Sequence, residues 1–244
     1  MKRLSIDIWS DIACPWCYVG KRRLETALAR FPQRDQVEVR WHAFELDPGA
    51  PPVRESKQSH AADIAQKYGT SVAQAEAMIS RLVDVARAEG LDFRMDKLRT
   101  GNTFDAHRLV RFAETRGAAQ QAAMTERLMR AYLTEGAAIG DRETLVRLAV
   151  DVGLAAEEVR SALEDGSFTA EVRADEQRAQ ASGITGVPCF VLDWKYGITG
   201  AQAAEVILRG IEQAWAELPP EPIGAAAADD AGADGAVCGP DGCN

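Results

Sequence analysis

Cys14 and Cys17 stand three residues apart in "IDIWSDIACPWCYVGKRRL", with only Pro15 and Trp16 between them. Two thiols at this spacing can hold a metal ion, form a structural crosslink, or exchange a disulfide with a substrate. Their setting favours the third. An alternating run precedes them and a helical pattern starts at Pro15, so Cys14 falls at the helix N-cap. Proline suits the first helical position because its missing N–H would have had no partner there. The helix start carries about half a positive charge and unpaired N–H groups, and both favour thiolate over thiol. Cys17 lies one turn inward on the same side, near enough to close a disulfide and expected to be buried. The pattern therefore predicts an exposed nucleophile in Cys14 and a resolving thiol in Cys17.

"GITGVPCF" (183–190) is the second place where residue types imply chemistry. Proline donates no ladder hydrogen bond and suits only strand starts or edges. A cis Val187–Pro188 bond would turn the chain and offer the Val187 backbone beside the two cysteines, where an extended substrate could pair with it. Cys189, next in the chain, reads as a small buried hydrophobe.

Certain elements must bring these pieces together. "LSIDIW" (4–9) and "VEVRWHA" (37–43) alternate apolar and polar residues with the period of strands. Between them Val19, Leu24, Leu28 and Phe31 recur with helical spacing until Pro32, which makes a right-handed βαβ unit with parallel strands. From about Ser59 to Ser182 nearly everything reads as helix. Gly69, Gly90, Gly117, Gly153 and Gly183 serve as stops, Asp141 as an N-cap, and Met124, Leu128 and Tyr132 as core. In "VAQAEAMISRLVDVARAEG", Val72, Ile79, Leu82, Val83 and Ala86 fall on one face. "PCFVLD" and "WKYGIT" then form a hairpin, and "AQAAEVILRGIEQAW" (201–215) a closing helix. The expected class is α/β: residues 1–54 as the first part of one domain (βαβ), 55–182 as an inserted helical domain, 183–217 as its second part (ββα), and 218–244 as a flexible acidic tail.

Composition narrows the function. Of 244 residues, 46% are hydrophobic and 27% charged, the profile of an ordinary globular protein. A net charge of −9 argues against nucleic-acid binding, and no stretch has the ~20 unbroken apolar residues of a membrane helix. The opening "MKRLSIDIWSD" has too short an apolar stretch for a signal peptide, is broken by Asp7, and lacks a small-residue cleavage site. Cytoplasmic localisation is the expectation. Five cysteines, an odd number, fit a catalytic or metal role there better than a paired framework.

Three stretches in order, "SDIACPWCYVGKRRLE", "NTFDAHRL" (102–109) and "GITGVPCFVLDWKYGITGAQ", resemble the DsbA family and, within it, its cytoplasmic FrnE-type branch. The likeness spans roughly residues 1 to 216. It implies a thioredoxin-like fold with an inserted helical domain, and a disulfide oxidoreductase or isomerase acting on protein cysteines. In that reading Cys14 is the nucleophile, Cys17 the resolving thiol and Pro188 the cis proline. Val187, Pro188, Pro15 and Trp16 would contact substrate. No cofactor beyond the redox-active disulfide and no metal are implied. Protein substrates and a low-molecular-weight thiol or thioredoxin system would be the partners. Pro-Trp stands where the periplasmic DsbA enzymes carry Pro-His, so their oxidising poise does not transfer.

The tail ends in "VCGPDGCN", and this CX4C pair, Cys238 and Cys243, resembles that of a FrnE-type disulfide isomerase. "GPDG" is turn material, so an auxiliary dithiol is the expectation. His107 is read either as a proton acceptor for a thiol or as a hydrogen-bonding group between helices; His42 and His60 show no constellation. Three rivals remain open. A four-cysteine zinc module would use Cys14, Cys17, Cys238 and Cys243. A glutathione transferase or hydroxychromene-carboxylate isomerase of the same fold would look to carry Ser in place of Cys14. A partner-binding module would be released by oxidation.

Overall fold

A computed structural model describes residues 2–54 and 58–219; Cys238 and Cys243 lie outside the described residues. Strand β1 (Leu4–Ser10) runs into helix α1 (Pro15–Arg30), and β2 (Val37–Ala43) returns parallel to β1 with Leu4 opposite Val37 and Ser10 opposite Ala43. Far along the chain β3 (Cys189–Leu192) pairs antiparallel with β1, placing Cys189 opposite Trp9. Strand β4 (Tyr196–Thr199) pairs antiparallel with β3, and α9 (Ala204–Glu217) follows. The order β2-β1-β3-β4 is one mixed sheet of the thioredoxin type, built from both ends of the chain.

Alternation along β1 decides what each face buries. Leu4, Ile6 and Ile8 pack with Leu24 and Ala27 of α1 and with Ile207 and Ile211 of α9. Each buried Leu or Ile contributes about 1.5–3 kcal/mol by leaving water. Trp9 points to the opposite face and packs with Cys189 and with Ala179 of the last intervening helix.

The segment between β2 and β3 is helical: α2 (His60–Tyr68), α3 (Val72–Ala88), α4 (Phe104–Glu114), α5 (Ala118–Arg130), α6 (Arg142–Asp151), α7 (Ala156–Glu164) and α8 (Thr169–Ala181). Local chemistry sets several of these ends. Asp141 accepts a hydrogen bond from the Thr144 N–H at 2.9 Å, and Ser71 and Gln74 form a reciprocal capping box. The five glycines read as stops all have positive φ, between 62° and 108°. Met124, Leu128 and Tyr132 are buried in the largest apolar cluster.

Three details differ from the periodicity. Val72 is exposed, because Ser71 caps the helix at its open end; Ala75, Leu82 and Ala86 are the buried residues of α3. The stretch between α3 and α4 holds only a short 3₁₀ turn (Met95–Lys97), yet it buries Leu91, Phe93 and Met95. The last helix starts at Ala204 rather than Ala201, since the Gln202 N–H bonds back to the Gly200 carbonyl. Among the described residues, no helix is long and apolar enough to cross a membrane.

Candidate functional site

Cys14 is the N-cap of α1, with φ −85° and ψ 112°, and Pro15 follows as the first helical residue. Its N–H is held by the Asp11 carbonyl at 3.1 Å, and its own carbonyl accepts from the Cys17 N–H at 3.0 Å, which fixes the turn that carries the pair. Cys14 and Cys17 are free thiols. The Cys14 thiol donates to the Val187 carbonyl at 3.9 Å, and the Val187–Pro188 bond is cis. So the first 20 residues and the segment before β3 converge on one sulfur.

Exposure differs from the sequence reading at one point. Cys14 is only 5% exposed, not an open thiol, because Val187 and the helical segment close over it. Trp16 takes the exposed position at 43%, and Pro15 is half-buried. Cys17 is 1% exposed. Burial above all, then the neighbouring Cys14, push the Cys17 thiol well up; the Ser10 hydroxyl and the Asp11 backbone N–H oppose this more weakly. The two thiols are thus unlike. Cys189 is buried against Trp9, and burial pushes its thiol up as well.

Helix α1 reaches Pro188 because residue 20 is glycine. A Cβ there would lie 3.0 Å from Pro188 Cγ and 3.2 Å from Phe190 Cζ. On its other side the helix is tied to α5: Tyr18, Lys21 and Arg22 all meet the Glu126 carboxylate. Beside Val187 a groove of about 670 Å³ runs between the 182–186 segment and the β3–β4 hairpin, past Cys189, to Trp194 and Gly200. The hairpin turn places Asp193 and Trp194 at positive φ and leaves Trp194 half-exposed over this groove.

Below the cysteines the chain buries charge. Both Asp11 carboxylate oxygens accept backbone hydrogen bonds, from Ala13 at 3.2 Å and Leu46 at 2.8 Å. His107, buried at 3% exposure, brings Nε2 to 3.5 Å from Asp11 Oδ1. Burial alone would push the Asp11 carboxyl up, but His107 and the two N–H groups outweigh it and hold it below its usual range. Sequence reasoning did not single out Asp11; its position just before the CPWC run is the signal that could have found it.

His42 corrects the sequence reading, which gave it no constellation. Its Nε2 lies 2.7 Å from Asp7 Oδ1 and its Nδ1 2.8 Å from Asp175 Oδ1. The ring stacks on Trp9 at 4.5 Å, and Arg111 of α4 closes on Asp175 from the other side. The Ala43 N–H also donates to Asp175 at 2.9 Å. This buried cluster fastens α8 to β1 and β2, on the face of the sheet away from α1. His60 joins no such cluster: it opens α2, and burial pulls its imidazole below its ordinary value.

The sequence pattern of the DSBA-like thioredoxin domain family matches residues 5–212. The chain is similar to the crystal structure of a probable DsbA oxidoreductase from Streptomyces coelicolor, with 45% identity, a TM-score of 0.83 and 99% of each chain covered. The uncharacterised protein YwbO of Bacillus subtilis is 28% identical over 216 residues, 84% of this chain and 94% of that protein. The cytosolic disulfide reductase DsbM from Pseudomonas aeruginosa, in a structure with GSH, shares the fold at 20% identity and a TM-score of 0.57, covering 87% of this chain and 96% of that one.

Proposed function

Because the chain belongs to the DSBA-like thioredoxin domain family, we propose that it is a thiol–disulfide oxidoreductase that reduces or rearranges protein disulfides at Cys14 and Cys17. The observation that carries this reading is the meeting of Cys14 Sγ, at a helix start, with the Val187 carbonyl at 3.9 Å.

Each half of the exchange has a residue suited to it. The Cys14 thiolate attacks a substrate disulfide; one sulfur of the substrate stays bound to Cys14 and the other leaves as thiolate. Cys17 then loses its proton, attacks Cys14 Sγ, and releases the second sulfur. Two electrons pass from the dithiol to the substrate, leaving Cys14–Cys17 as a disulfide. The burial of Cys17 suits a thiol that reacts only with its neighbour. The Val187 backbone, Pro188, Pro15, exposed Trp16 and the adjoining groove supply the surface on which an extended polypeptide docks.

The finer parts of the reading follow from the FrnE-type resemblance. The protein works in the cytoplasm as a disulfide isomerase, with no cofactor beyond its redox-active disulfide and no nucleic-acid or membrane partner. A low-molecular-weight thiol or a thioredoxin system restores its dithiol, and Cys238 and Cys243 act as a second dithiol. Insulin reduction and recovery of scrambled ribonuclease test the whole. The wild-type chain is expected to turn over in at least one assay and Cys14→Ser in neither. Equal rates for the two proteins would refute the reading.

A further inference from the structure

Strand β4 carries a glycine that the fold itself does not call for. Gly197 stands opposite Val191 of β3, and its φ lies outside the left-handed region. A Cβ added there would meet nothing within 4 Å. Glycine weakens the interior of a strand and often marks a place where another chain or a ligand comes close. The open space above Gly197 is the groove beside Val187, on the sheet face away from α1 and α9, and Cys189 and Val191 line it too.

The hairpin turn repeats the pattern. The Lys195 N–H donates to the Leu192 carbonyl at 3.0 Å, and the two residues between them, Asp193 and Trp194, have φ of 49° and 53°. Asn and Gly are the usual occupants of such a turn, and a bulky side chain there strains the backbone. The Trp194 indole stands edge-on to Trp9, with 5.8 Å between ring centres, and remains half-exposed along the groove. A large aromatic ring left half in water on a strained turn contributes little to the fold. It does give the groove an apolar wall.

The groove is continuous with the thiol site. Val187 lines it, and the Val187 carbonyl holds the Cys14 thiol. The N–H groups of Thr185, Gly186 and Val187 have no backbone partner among the described residues, and Thr185 and Gly186 are exposed. An extended polypeptide can pair there. Val191 is four positions beyond Val187, about 13 Å of extended chain.

We propose that the space over Gly197, walled by Trp194 and Val191, takes one large apolar side chain of the substrate polypeptide. That side chain stands roughly three to four residues from the cysteine under attack. Trp194 and Gly197 then determine specificity: they meet the sequence flanking the disulfide and not the reacting sulfurs. This role rests on the reading of Cys14 given above. Among the described residues lining the groove Lys195 alone is charged, so a basic side chain is disfavoured there.

The test uses reduced full-length protein and short peptides, each with one cysteine held as a mixed disulfide with thionitrobenzoate. Phe, Ala or Lys stands three or four residues before or after that cysteine. Release of thionitrobenzoate times the attack of Cys14. The wild type is expected to react about tenfold faster with the best-placed Phe than with Ala, as burial of most of an aromatic ring gives, and no faster with Lys. In Gly197→Val, which fills the space, and Trp194→Gly, which removes the wall, the Phe-to-Ala ratio is expected to fall towards one. Gly197→Val is expected to melt above wild type, because a β-branched residue suits a strand, so its lost ratio is not a lost fold. Glycine likewise accepts the φ at 194. A wild-type ratio near one at every position, or a ratio unchanged in either folded variant, overturns the proposal. A wild-type dimer that dissociates in Gly197→Val with the ratio unaltered makes the groove a contact between copies and overturns it as well. A wild type that attacks none of the peptides overturns the reading of Cys14 and the pocket together; equal attack on all of them overturns the pocket alone.

Discussion

Cys14 Sγ and the carbonyl oxygen of Val187 lie 3.9 Å apart, although 173 positions separate the two residues in the chain. One is fixed by the start of α1 and the other by the approach to β3, so their distance depends on the pairing of Trp9 with Cys189 across β1 and β3. Most of the chemistry proposed above depends on this convergence.

The two cysteines are expected to differ in reactivity. Cys14 sits at the start of α1 with its thiol on the Val187 carbonyl, whereas Cys17 lies one turn inside the helix and its thiol is pushed up by burial and by Cys14. Below pH 7 iodoacetamide is expected to label Cys14 at least tenfold faster, about 1.4 kcal/mol of preference. Cys17→Ser is expected to accumulate mixed disulfides with substrate. Peptide mapping after timed alkylation reads the first, and non-reducing electrophoresis the second. Equal labelling would sink the assignment of roles.

Gly20→Ala is expected to weaken the site from behind. The new methyl meets Pro188 Cγ at 3.0 Å and Phe190 Cζ at 3.2 Å. Overpacking of this kind costs about 1–3 kcal/mol, against a helix-propensity gain of about 1 kcal/mol. Net destabilisation of about 1 kcal/mol in urea, with slower insulin reduction, is the expected result. A variant more stable than wild type and fully active would show that α1 and the Pro188 segment are not so tightly packed.

The His42 cluster gives the fold a pH window. Burial alone would lower the imidazole, but Asp175 and Asp7 outweigh it and raise it above its ordinary 6.5. A raised histidine adds stability that is complete below about pH 6.5 and is lost as pH climbs through the higher folded value. Burial would likewise raise Asp175, yet His42 and Arg111 hold it below 3.8, so its share is present above 3.8 and fades as pH falls through the lower value. His42→Gln is expected to cost about 3 kcal/mol near pH 5, as loss of one partner in a buried ionic cluster does. That cost is expected to shrink above pH 7. Melting curves of both proteins from pH 4 to pH 9 check this; a constant difference across the range would refute it.

The C-terminal pair can be tested by removal. "GPDG" between Cys238 and Cys243 is composed of turn-favouring residues, and the second dithiol proposed for this pair predicts an effect of removing it. A chain truncated after Gly224 is expected to keep most of its insulin reduction while its isomerisation or re-oxidation rate changes. Matching rates in all three assays would leave the pair with no part in the exchange.

Short-range rules carried much of this fold. The alternation in 37–43 marks β2 to the residue, and Asp141 and the stop glycines set helix ends through bonds to residues a few positions away. Cys14 was legible as an N-cap for the same reason. Its burial was not, because Val187 and the helical segment that cover it come from far along the chain. Nor was the His42 cluster: Asp7 and Asp175 lie 35 and 133 positions away, and no local pattern joins them. The π-helical turn at Ala131–Glu135 was also invisible, since its residues read as ordinary helix and only the bonding pattern differs.

A sheet assembled from both ends of the polypeptide also sets the order in which reactivity emerges on the ribosome. A nascent chain that has passed α8 already displays both thiols of α1, but β3 and the Val187 carbonyl are still to come. Pairing of such distant segments is the late and slow part of folding. The dithiol therefore spends its own synthesis without the neighbour that shapes its site, and acquires that neighbour only when β3 docks.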